Sequence, residues 1–398
     1  MEWKEYNICQ LCDTISETYK GKSNSVVLIN TSDVLEGKVL NHKRVPNKGL
    51  KGQFKKTFKK NDILYSEIRP ANKRFAYINF SPNDYIASTK LMVLRSKPIV
   101  SSYFLFQILK SEIVLKNLQM LAESRSGTFP QITYSELSNV RVKVPPLPVQ
   151  DKIVGILSAL DSKIENNNKI NANLEAQAQA LFKSWFVDFT PFKDQPFVDS
   201  ELGPIPQGWK VGKLGDYCET ICRGLTPKYN LDSKEIVLGQ TCVRNNIVTL
   251  NNARKHQPKG KTEKKVQQWD TLINSTGIGS LGRVGIVYFD YNYVSFDSHI
   301  TVVRATNPLL RPYIGRNLVS RQLEIENLAI GSTGQTELPR ESVKSITLYI
   351  PTQKVLESFN CIIKPLSLKI LKNIQENQRL AALRDTLLPK LMSGEIKL

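Results

Sequence analysis

The chain has 398 residues, of which 41% are hydrophobic, so it can form two or three domains with cores of their own and is not disordered throughout. No run of about 18 consecutive apolar residues occurs, residues 1–6 lack a signal-peptide stretch, and six cysteines make no disulfide framework, so we expect no transmembrane helix and a cytoplasmic location. Lys and Arg outnumber Asp and Glu by 55 to 36, a net charge of +19, which favours nucleic acid as a partner over a basic protein that binds none.

The chain repeats itself at an offset of about 206 residues. Matching positions are Trp3 and Trp209, Cys12 and Cys218, Asp62 and Asp270, Arg74 and Arg283, and Arg95 and Arg304. The offset grows by a few residues in the middle, which indicates short insertions in loops. The pattern therefore predicts a duplicated unit of about 200 residues, which is too long for a solenoid repeat.

Each copy predicts a globular portion followed by a long helix. Residues 1–144 and 191–350 carry short β-branched runs between Gly, Asn, Ser and Pro clusters, which are typical of strands and turns. Residues 145–190 and 351–398 contain helical runs at about 149–187 and 353–392, and the prolines at 145, 146 and 148 favour an extended lead-in to the first. The expected fold class is α+β: two similar α/β domains separated by two long antiparallel coiled-coil helices, with a pseudo-two-fold internal repeat.

Both helical runs carry a heptad seam, in which the spacing alternates between four and three residues. The first seam is Ile153, Leu157, Leu160, Ile164, Asn167, Asn171, Leu174, Ala178, Leu181 and Trp185. The second seam is Phe359, Ile363, Leu366, Ile370, Asn373, Asn377, Leu380, Arg384, Leu387 and Leu391. Two unrelated amphipathic surface helices are the alternative interpretation.

Asparagines interrupt the two seams at matching positions. In a centred antiparallel pair, Asn167 faces Asn377 and Asn171 faces Asn373, whereas a buried amide opposite an apolar residue would cost about 1–3 kcal/mol. A parallel pair would also match the asparagines, but a compact domain between the helices has its two ends close together, which favours the antiparallel pair. A helix of about 38 residues spans roughly 57 Å, or about 17 base pairs, so two domains joined by it would read two separated half-sites.

A basic run lies at the same place in both globular copies, just before Asp62 or Asp270. The first run contains Lys48, Lys51, Lys55, Lys56, Lys59 and Lys60, with Phe54 and Phe58 between them, and the second contains Arg254, Lys255, Lys259, Lys261, Lys264 and Lys265. Such side chains neutralise DNA phosphates and give affinity without sequence information. A solvated loop is the usual alternative, and recurrence in both copies favours nucleic acid.

Two polar loops in each copy supply side chains of the kind that read base edges. The first loop is residues 66–74, matched by 275–283, and the second is residues 124–131, matched by 331–336. The candidates for DNA contact are Arg69, Lys73, Arg74, Arg125, Ser126, Gln131, Thr276, Arg283, Ser332, Thr333 and Gln335. Among them Arg69, Arg125 and Gln335 are the first candidates for base edges, with structural turn residues as the competing interpretation.

The sequence gives little indication of a catalytic or cofactor-binding site. Residues 277–282 fit G-x-G-x-x-G, but a strand is predicted after them instead of the helix that receives a pyrophosphate, and no P-loop motif occurs. Cys9 and Cys12 could begin a zinc site completed by Cys218 and Cys222, but Cys12 and Cys218 fall in different domains, and three histidines are too few for the usual ligand spacing. We therefore expect no catalytic, cofactor-binding or metal-binding residues.

Several segments, in this order along the chain, resemble parts of one known family. VPPLPVQDKI (residues 144–153) resembles the entry to a conserved spacer helix, and PIPQGWK (204–210) with LGD (214–216) resembles the opening of a target recognition domain. Together with LRDTLLPKLMSGEI (383–396), they resemble the specificity subunit of type I restriction-modification systems over essentially the whole chain.

The resemblance implies two target recognition domains, residues 1–144 and 191–350, with spacer helices in 145–190 and 351–398. It implies a bipartite double-stranded DNA target, one half read by each domain, and two methyltransferase subunits and restriction subunits as partners. S-adenosylmethionine, ATP and magnesium would belong to those partners, which methylate adenine at N6 or cleave DNA, so this chain would be non-catalytic. The alternatives are a scaffold that binds nucleic acid through charge alone and a DNA-modifying enzyme that acts alone.

Overall fold

A computed structural model describes residues 3–48, 52–124, 130–258, 264–332 and 336–398. The chain forms two compact units: unit 1 comprises Met1–Lys163 and Arg379–Leu398, and unit 2 comprises Ile164–Gln378. These limits differ from the predicted domain limits because each long helix contributes one part to each unit.

Unit 1 combines two four-stranded sheets with short helices. Its strands are β1 (Lys4–Asn7), β2 (Cys12–Ile15), β3 (Ser25–Ile29), β4 (Val34–Leu35), β5 (Lys38–Val39), β6 (Arg44–Pro46), β7 (Phe54–Lys56), β8 (Ile63–Ser66), β9 (Phe75–Tyr77), β10 (Tyr85–Ser88), β11 (Leu91–Ser96) and β12 (Arg141–Val144). Its short helices are α1 (Ile8–Leu11), α2 (Ser102–Leu109), α3 (Glu112–Glu123) and α4 (Tyr134–Ser138). The sheet orders are β6-β3-β10-β7 and β2-β11-β8-β9, and β1 pairs with β12.

Strand β8 serves two hydrophobic cores because successive side chains of a strand point to opposite faces. Ile63 and Tyr65 belong to the cluster that includes Phe104 of α2. Leu64 belongs to the cluster that includes Val27 of the other sheet. The sheet therefore lies between the helices and the second sheet, and it positions the loop that follows β8.

Unit 2 repeats this arrangement with additional strands. Its strands are β13 (Phe197–Val198), β14 (Ile205–Pro206), β15 (Lys210–Lys213), β16 (Cys218–Arg223), β17 (Ile236–Leu238), β18 (Val243–Arg244), β19 (Asn246–Val248), β20 (Arg254–Lys255), β21 (Thr271–Asn274), β22 (Val284–Ile286), β23 (Val294–Phe296), β24 (Ile300–Ala305) and β25 (Thr347–Ile350). Its short helices are α6 (Leu310–Ser320), α7 (Gln322–Asn327) and α8 (Arg340–Lys344).

Strand pairing confirms the predicted internal repeat. The order β2-β11-β8-β9 of unit 1 returns in unit 2 as β16-β24-β21-β22, and the parallel pair β3–β10 returns as β17–β23. In unit 1 Lys4 pairs with Val144, and in unit 2 Lys210 pairs with Ile350, both at the offset seen in the sequence.

The long helices are α5 (Leu147–Phe186) and α9 (Gln353–Ser393). Pro148 lies inside the first turn of α5, not before the helix as predicted, because first-turn N–H groups have no helical partner and proline is tolerated there. Within unit 1, Ile153 of α5 and Leu391 of α9 share one buried cluster. Within unit 2, the rings of Trp185 and Phe359 lie 5.9 Å apart. The start of α5 thus meets the end of α9 and the reverse, which confirms the antiparallel pair.

No helix in the described ranges has the length and apolar character that a membrane span requires.

Candidate nucleic-acid interface

In unit 1 the two predicted loops lie side by side. The backbone N–H of Arg69 donates a hydrogen bond to the Pro130 carbonyl at 3.0 Å, and a β-bridge joins Ile68 to Gln131. Arg69 is exposed and adopts a left-handed φ of 43°, directly before a short 3-10 turn. The fold therefore brings together two loops, residues 66–74 and 124–131, that are far apart in sequence.

The turn between β10 and β11 lies between the basic run and the first loop of unit 1. The N–H of Thr89 donates to the Gln53 carbonyl at 2.7 Å, and the N–H of Glu67 donates to the Lys90 carbonyl at 3.1 Å. Exposed cations of the run and the loop are Lys48, Lys55, Lys59, Lys60, Arg69 and Lys73. This turn thus connects the basic run to the first loop of unit 1.

Two of the predicted cations in unit 1 have internal partners. Lys56 donates through Nζ to the carbonyls of Thr89 and Leu91 at 3.0 and 2.9 Å, and burial lowers the pKa of its ammonium group. Arg74 donates through Nη1 to the Ser32 carbonyl at 3.1 Å. Both side chains brace the backbone around the candidate surface, and DNA contact by either one stays a prediction. Of the aromatic residues in the run, Phe58 is buried in a core cluster.

In unit 2 the first loop is joined to Leu338, two residues after the second loop. The N–H of Leu338 donates to the Ser275 carbonyl at 2.8 Å. Thr276 Oγ1 lies 2.9 Å from His299 Nδ1 and accepts a hydrogen bond from Gln240 Nε2 at 3.0 Å. Several hydrogen-bonding side chains therefore converge at the base of the first loop.

As in unit 1, some basic side chains of unit 2 are exposed and others bond to backbone carbonyls of the same unit. Lys255 is exposed and donates to the Leu231 carbonyl at 3.0 Å, whereas Lys264 Nζ donates to the Arg223 carbonyl. Arg283 donates through Nη2 to the Gly279 carbonyl at 2.6 Å and so braces the loop that carries it. These contacts fit structural roles, and DNA contact by these residues stays a prediction.

Part of the predicted site lies outside the described residues. These positions are Lys51, Arg125, Ser126, Lys261, Thr333 and Gln335. Ser332, the last residue of the described range 264–332, is exposed. The base-edge candidates Arg125 and Gln335 therefore stay predictions.

Lys90, Gln240 and His299 lie at the candidate surface but were missed by sequence reasoning. Lys90 and His299 occupy matching turns, after β10 and after β23, at the same offset as Arg95 and Arg304. The sequence signal for Lys90 and His299 is a polar residue at equivalent turns of the two copies, and neither residue belongs to a basic run.

A repeated ion pair fixes the end of each basic run. Arg95 donates to both carboxylate oxygens of Asp62 at 2.8 Å, and Arg304 donates to those of Asp270 at 2.8 and 2.6 Å. Each carboxylate also accepts a backbone N–H three residues earlier at 2.7 Å. The matching Asp and Arg positions in the sequence are therefore structural.

The four seam asparagines form the pairs that the sequence predicts. Asn167 donates through Nδ2 to Asn377 Oδ1 at 2.9 Å, and Asn373 donates through Nδ2 to Asn171 Oδ1 at 2.8 Å. Asn377 in turn donates to Asn168 Oδ1 at 2.9 Å. Because each amide finds its partner in this register, the helices are aligned by hydrogen bonds as well as by apolar packing.

The structure describes two other features that the sequence singled out, the thiols of Cys12 and Cys218 and the glycine-rich loop at 277–282. Burial raises the pKa of the Cys12 thiol to about 12 and that of Cys218 to about 12, whereas zinc binds the thiolate. No group of three or more His, Cys, Asp or Glu side chains that could hold a metal occurs in the described ranges. The glycine-rich loop at 277–282 is followed by strand β22, as predicted, so it lacks the helix of a dinucleotide site.

Comparison with known proteins places the chain among DNA specificity proteins. Residues 1–176 and 206–378 match the family described as "Type I restriction modification DNA specificity domain". The chain is 30% identical to the type I restriction enzyme HindI specificity subunit of Haemophilus influenzae, over 99% of the chain and 100% of the relative. It is 27% identical to the MjaIX specificity subunit of Methanocaldococcus jannaschii, over 89% and 82%. A crystal structure of the type I S subunit from M. genitalium has the same fold, with a TM-score of 0.54 at 18% identity over 98% of this chain and 96% of that one.

Proposed function

The chain belongs to the family of type I restriction modification DNA specificity proteins, and from this membership we propose that it directs a restriction-modification complex to a bipartite target on double-stranded DNA. Each unit would read one half of the target. The observation that carries the proposal is that both copies match the same DNA specificity domain, over residues 1–176 and 206–378. In unit 1, moreover, backbone hydrogen bonds join the two polar loops to each other and connect the first loop, through the β10–β11 turn, to the basic run.

The proposal divides the work on DNA between phosphates and bases. Exposed lysines such as Lys55 and Lys59 would hold the backbone and supply affinity that depends on salt. Loop side chains such as Arg69 and Thr276 would meet base edges and supply specificity. We expect the α5–α9 pair to set the length of the unread gap between the two half-sites.

The proposal includes partners, since the relatives are named as specificity subunits of restriction enzymes. Two methyltransferase subunits would carry S-adenosylmethionine and methylate adenine at N6, and restriction subunits would use ATP and magnesium to cleave. This chain would be non-catalytic and would act in the cytoplasm, where the DNA and these subunits are.

The test is the pattern of adenine methylation in cells with and without the gene for this chain. We expect deletion to remove one split motif, made of two short words around a fixed number of unspecified bases, and re-expression to restore it. Loss of an unsplit motif, or no change where the methyltransferase is active, would contradict the proposal.

A second test separates this function from binding through charge alone. The full chain, co-purified with its methyltransferase subunits, is used to select duplexes from a random pool at moderate salt. We expect one split sequence to be enriched. A pool that stays random while binding persists would favour the charge-based scaffold instead.

A further inference from the structure

Ile278 is the most exposed large hydrophobic side chain in the part of the chain that the structure describes, with 91% of its surface accessible. Single exposed apolar residues are common on proteins, so exposure alone assigns no role. Ile278, however, belongs to the first polar loop of unit 2, which is a candidate for DNA contact, and it directly follows Thr276 and Gly277.

Several contacts restrict the backbone of the loop that carries Ile278. Gly277 and Gly282 have φ values of +98° and +79°, and a Cβ on Gly282 would lie 2.8 Å from the Cα of Glu326. The N–H of Leu281 donates to the Gly277 carbonyl at 2.9 Å, and Arg283 clamps the Gly279 carbonyl. Because these contacts restrict the backbone, they reduce the conformational entropy that a contact made by Ile278 would lose on binding.

The surroundings of the tip are polar. At the base of the loop, Thr276 Oγ1 lies within hydrogen-bond distance of His299 Nδ1 and Gln240 Nε2. An aliphatic side chain among hydrogen-bonding groups matches the surface of an A·T pair in the major groove, where the thymine C5 methyl group lies beside donors and acceptors.

The same position in unit 1 is occupied by Arg69. Ile278 lies five residues before Arg283, and Arg69 lies five residues before the matching Arg74. Both tips follow matching strands, β21 and β8, and both side chains are exposed. One loop thus presents a guanidinium group and the other a branched aliphatic group at an equivalent place.

We propose that Ile278 is a specificity-determining residue that packs against the C5 methyl group of a thymine in the half-site read by unit 2. The inference rests on the proposed function and assigns a base contact within it. The guanidinium group of Arg69 can donate to hydrogen-bond acceptors such as O6 and N7 of guanine. The equivalent residues of the two loops would therefore select different bases.

The test compares thymine with deoxyuridine, which pairs in the same way but lacks the methyl group. Starting from the selected split target, each thymine is replaced singly, and the dissociation constant is measured for the full chain with its methyltransferase subunits. We expect one replacement, in one half-site only, to weaken binding by about four- to tenfold. The Ile278→Ala variant should bind the thymine duplex that much more weakly and no longer distinguish thymine from deoxyuridine at that position, and Ile278→Val should fall between.

The control is Ile113→Ala, which removes an isoleucine of unit 1 that is 73% exposed and should leave that deoxyuridine effect unchanged. The inference fails if Ile278→Ala binds every duplex like the unsubstituted chain. It also fails if the variant binds every duplex more weakly but keeps its thymine preference, which would indicate a wedge between base pairs. Failure to select any split target would instead count against the proposed function.

Discussion

At the level of single residues, the same ion pair lies in different surroundings in the two units. Asp62 and Asp270 are 2% and 0% exposed, but the side chain of Arg95 is 31% exposed and that of Arg304 only 4%. A cation left without its carboxylate can be hydrated in the first case and not in the second. Arg95 also has a second carboxylate within reach, since its Nη1 lies 3.6 Å from Glu17 Oε1, so both hydration and this second partner would compensate the loss of Asp62.

We expect Asp270→Asn to lower the free energy of unfolding of unit 2 by about 3–5 kcal/mol, because it leaves Arg304 charged and buried. Asp62→Asn should cost unit 1 clearly less. The measurement is native-state hydrogen exchange of the amides of β21 and β24, compared with those of β8 and β11, in the full chain. Equal losses in the two units would contradict the argument from burial.

A buried charged network joins a long helix to the globular part of unit 2. Arg316 is fully buried and donates to both the Glu175 carboxylate and the Tyr288 hydroxyl, and Tyr288 also donates to Glu175. Glu175 lies on α5 beside the heptad seam, so sequence periodicity does not indicate this contact. The network depends on the contact between α5, which carries Glu175, and α6, which carries Arg316.

We expect Arg316→Met to lower the free energy of unfolding of unit 2 by about 3–5 kcal/mol, since the Glu175 carboxyl group would be left buried without its ionic partner. Adding Glu175→Leu should recover much of the loss, because a buried ion pair replaced on both sides by apolar groups is often nearly neutral. Urea unfolding of the two variants and of Glu175→Leu alone completes the cycle. Additive losses would rule out a coupled pair.

At the level of elements, the helix pair follows from a pattern that is redundant in the sequence. Ten seam positions recur in each helix at one offset, and only Arg384, which stands where the first seam has Ala178, departs from the match. The short strands carry no such redundancy. Strand β8, for example, is buried on both faces, but its four residues Ile63–Ser66 are too few to distinguish a buried strand from a segment of a buried helix.

We expect Asn373→Leu to lower the melting temperature of unit 2. Asn171 would be left in the seam without its donor, which costs about 1–3 kcal/mol of free energy of unfolding. The double variant Asn171→Leu/Asn373→Leu should melt at or above the temperature of the unsubstituted chain. Its register is still fixed by Asn167 and Asn377. A double variant that is less stable than either single one would show that the amides contribute more than alignment.

At the level of the whole molecule, net charge predicts the class of partner but not which cations meet it. Lys55 and Lys56 are adjacent in β7, yet Lys55 is exposed and Lys56 turns inward to the β10–β11 turn. The choice depends on strand register, which a run of basic letters does not contain. For the same reason the loops of the candidate site were predictable as regions, whereas Lys90 and His299 were not predictable as members.

We expect Lys55→Gln/Lys59→Gln to weaken binding to all duplexes alike and to reduce the slope of log affinity against log salt by about two. Each lost phosphate contact releases about one counterion fewer. The control is Lys56→Gln, whose ammonium group bonds internally and which should leave the slope nearly unchanged. Dissociation constants at four or more salt concentrations provide the measurement, and equal slopes for all three proteins would refute the assignment.

The discontinuity of unit 1 has a consequence for biosynthesis. Residues Arg379–Leu398 complete this unit, but they leave the ribosome only after all of unit 2 has been made. At about 5–20 residues per second, the nascent first segment waits roughly 10–40 s with Ile153 and Leu157 lacking the covering side chain of Leu391. Unit 2 is continuous and can close first, so translation favours folding from the middle of the chain outwards. A premature stop codon near position 379 would therefore damage the half of the protein that was synthesised earliest.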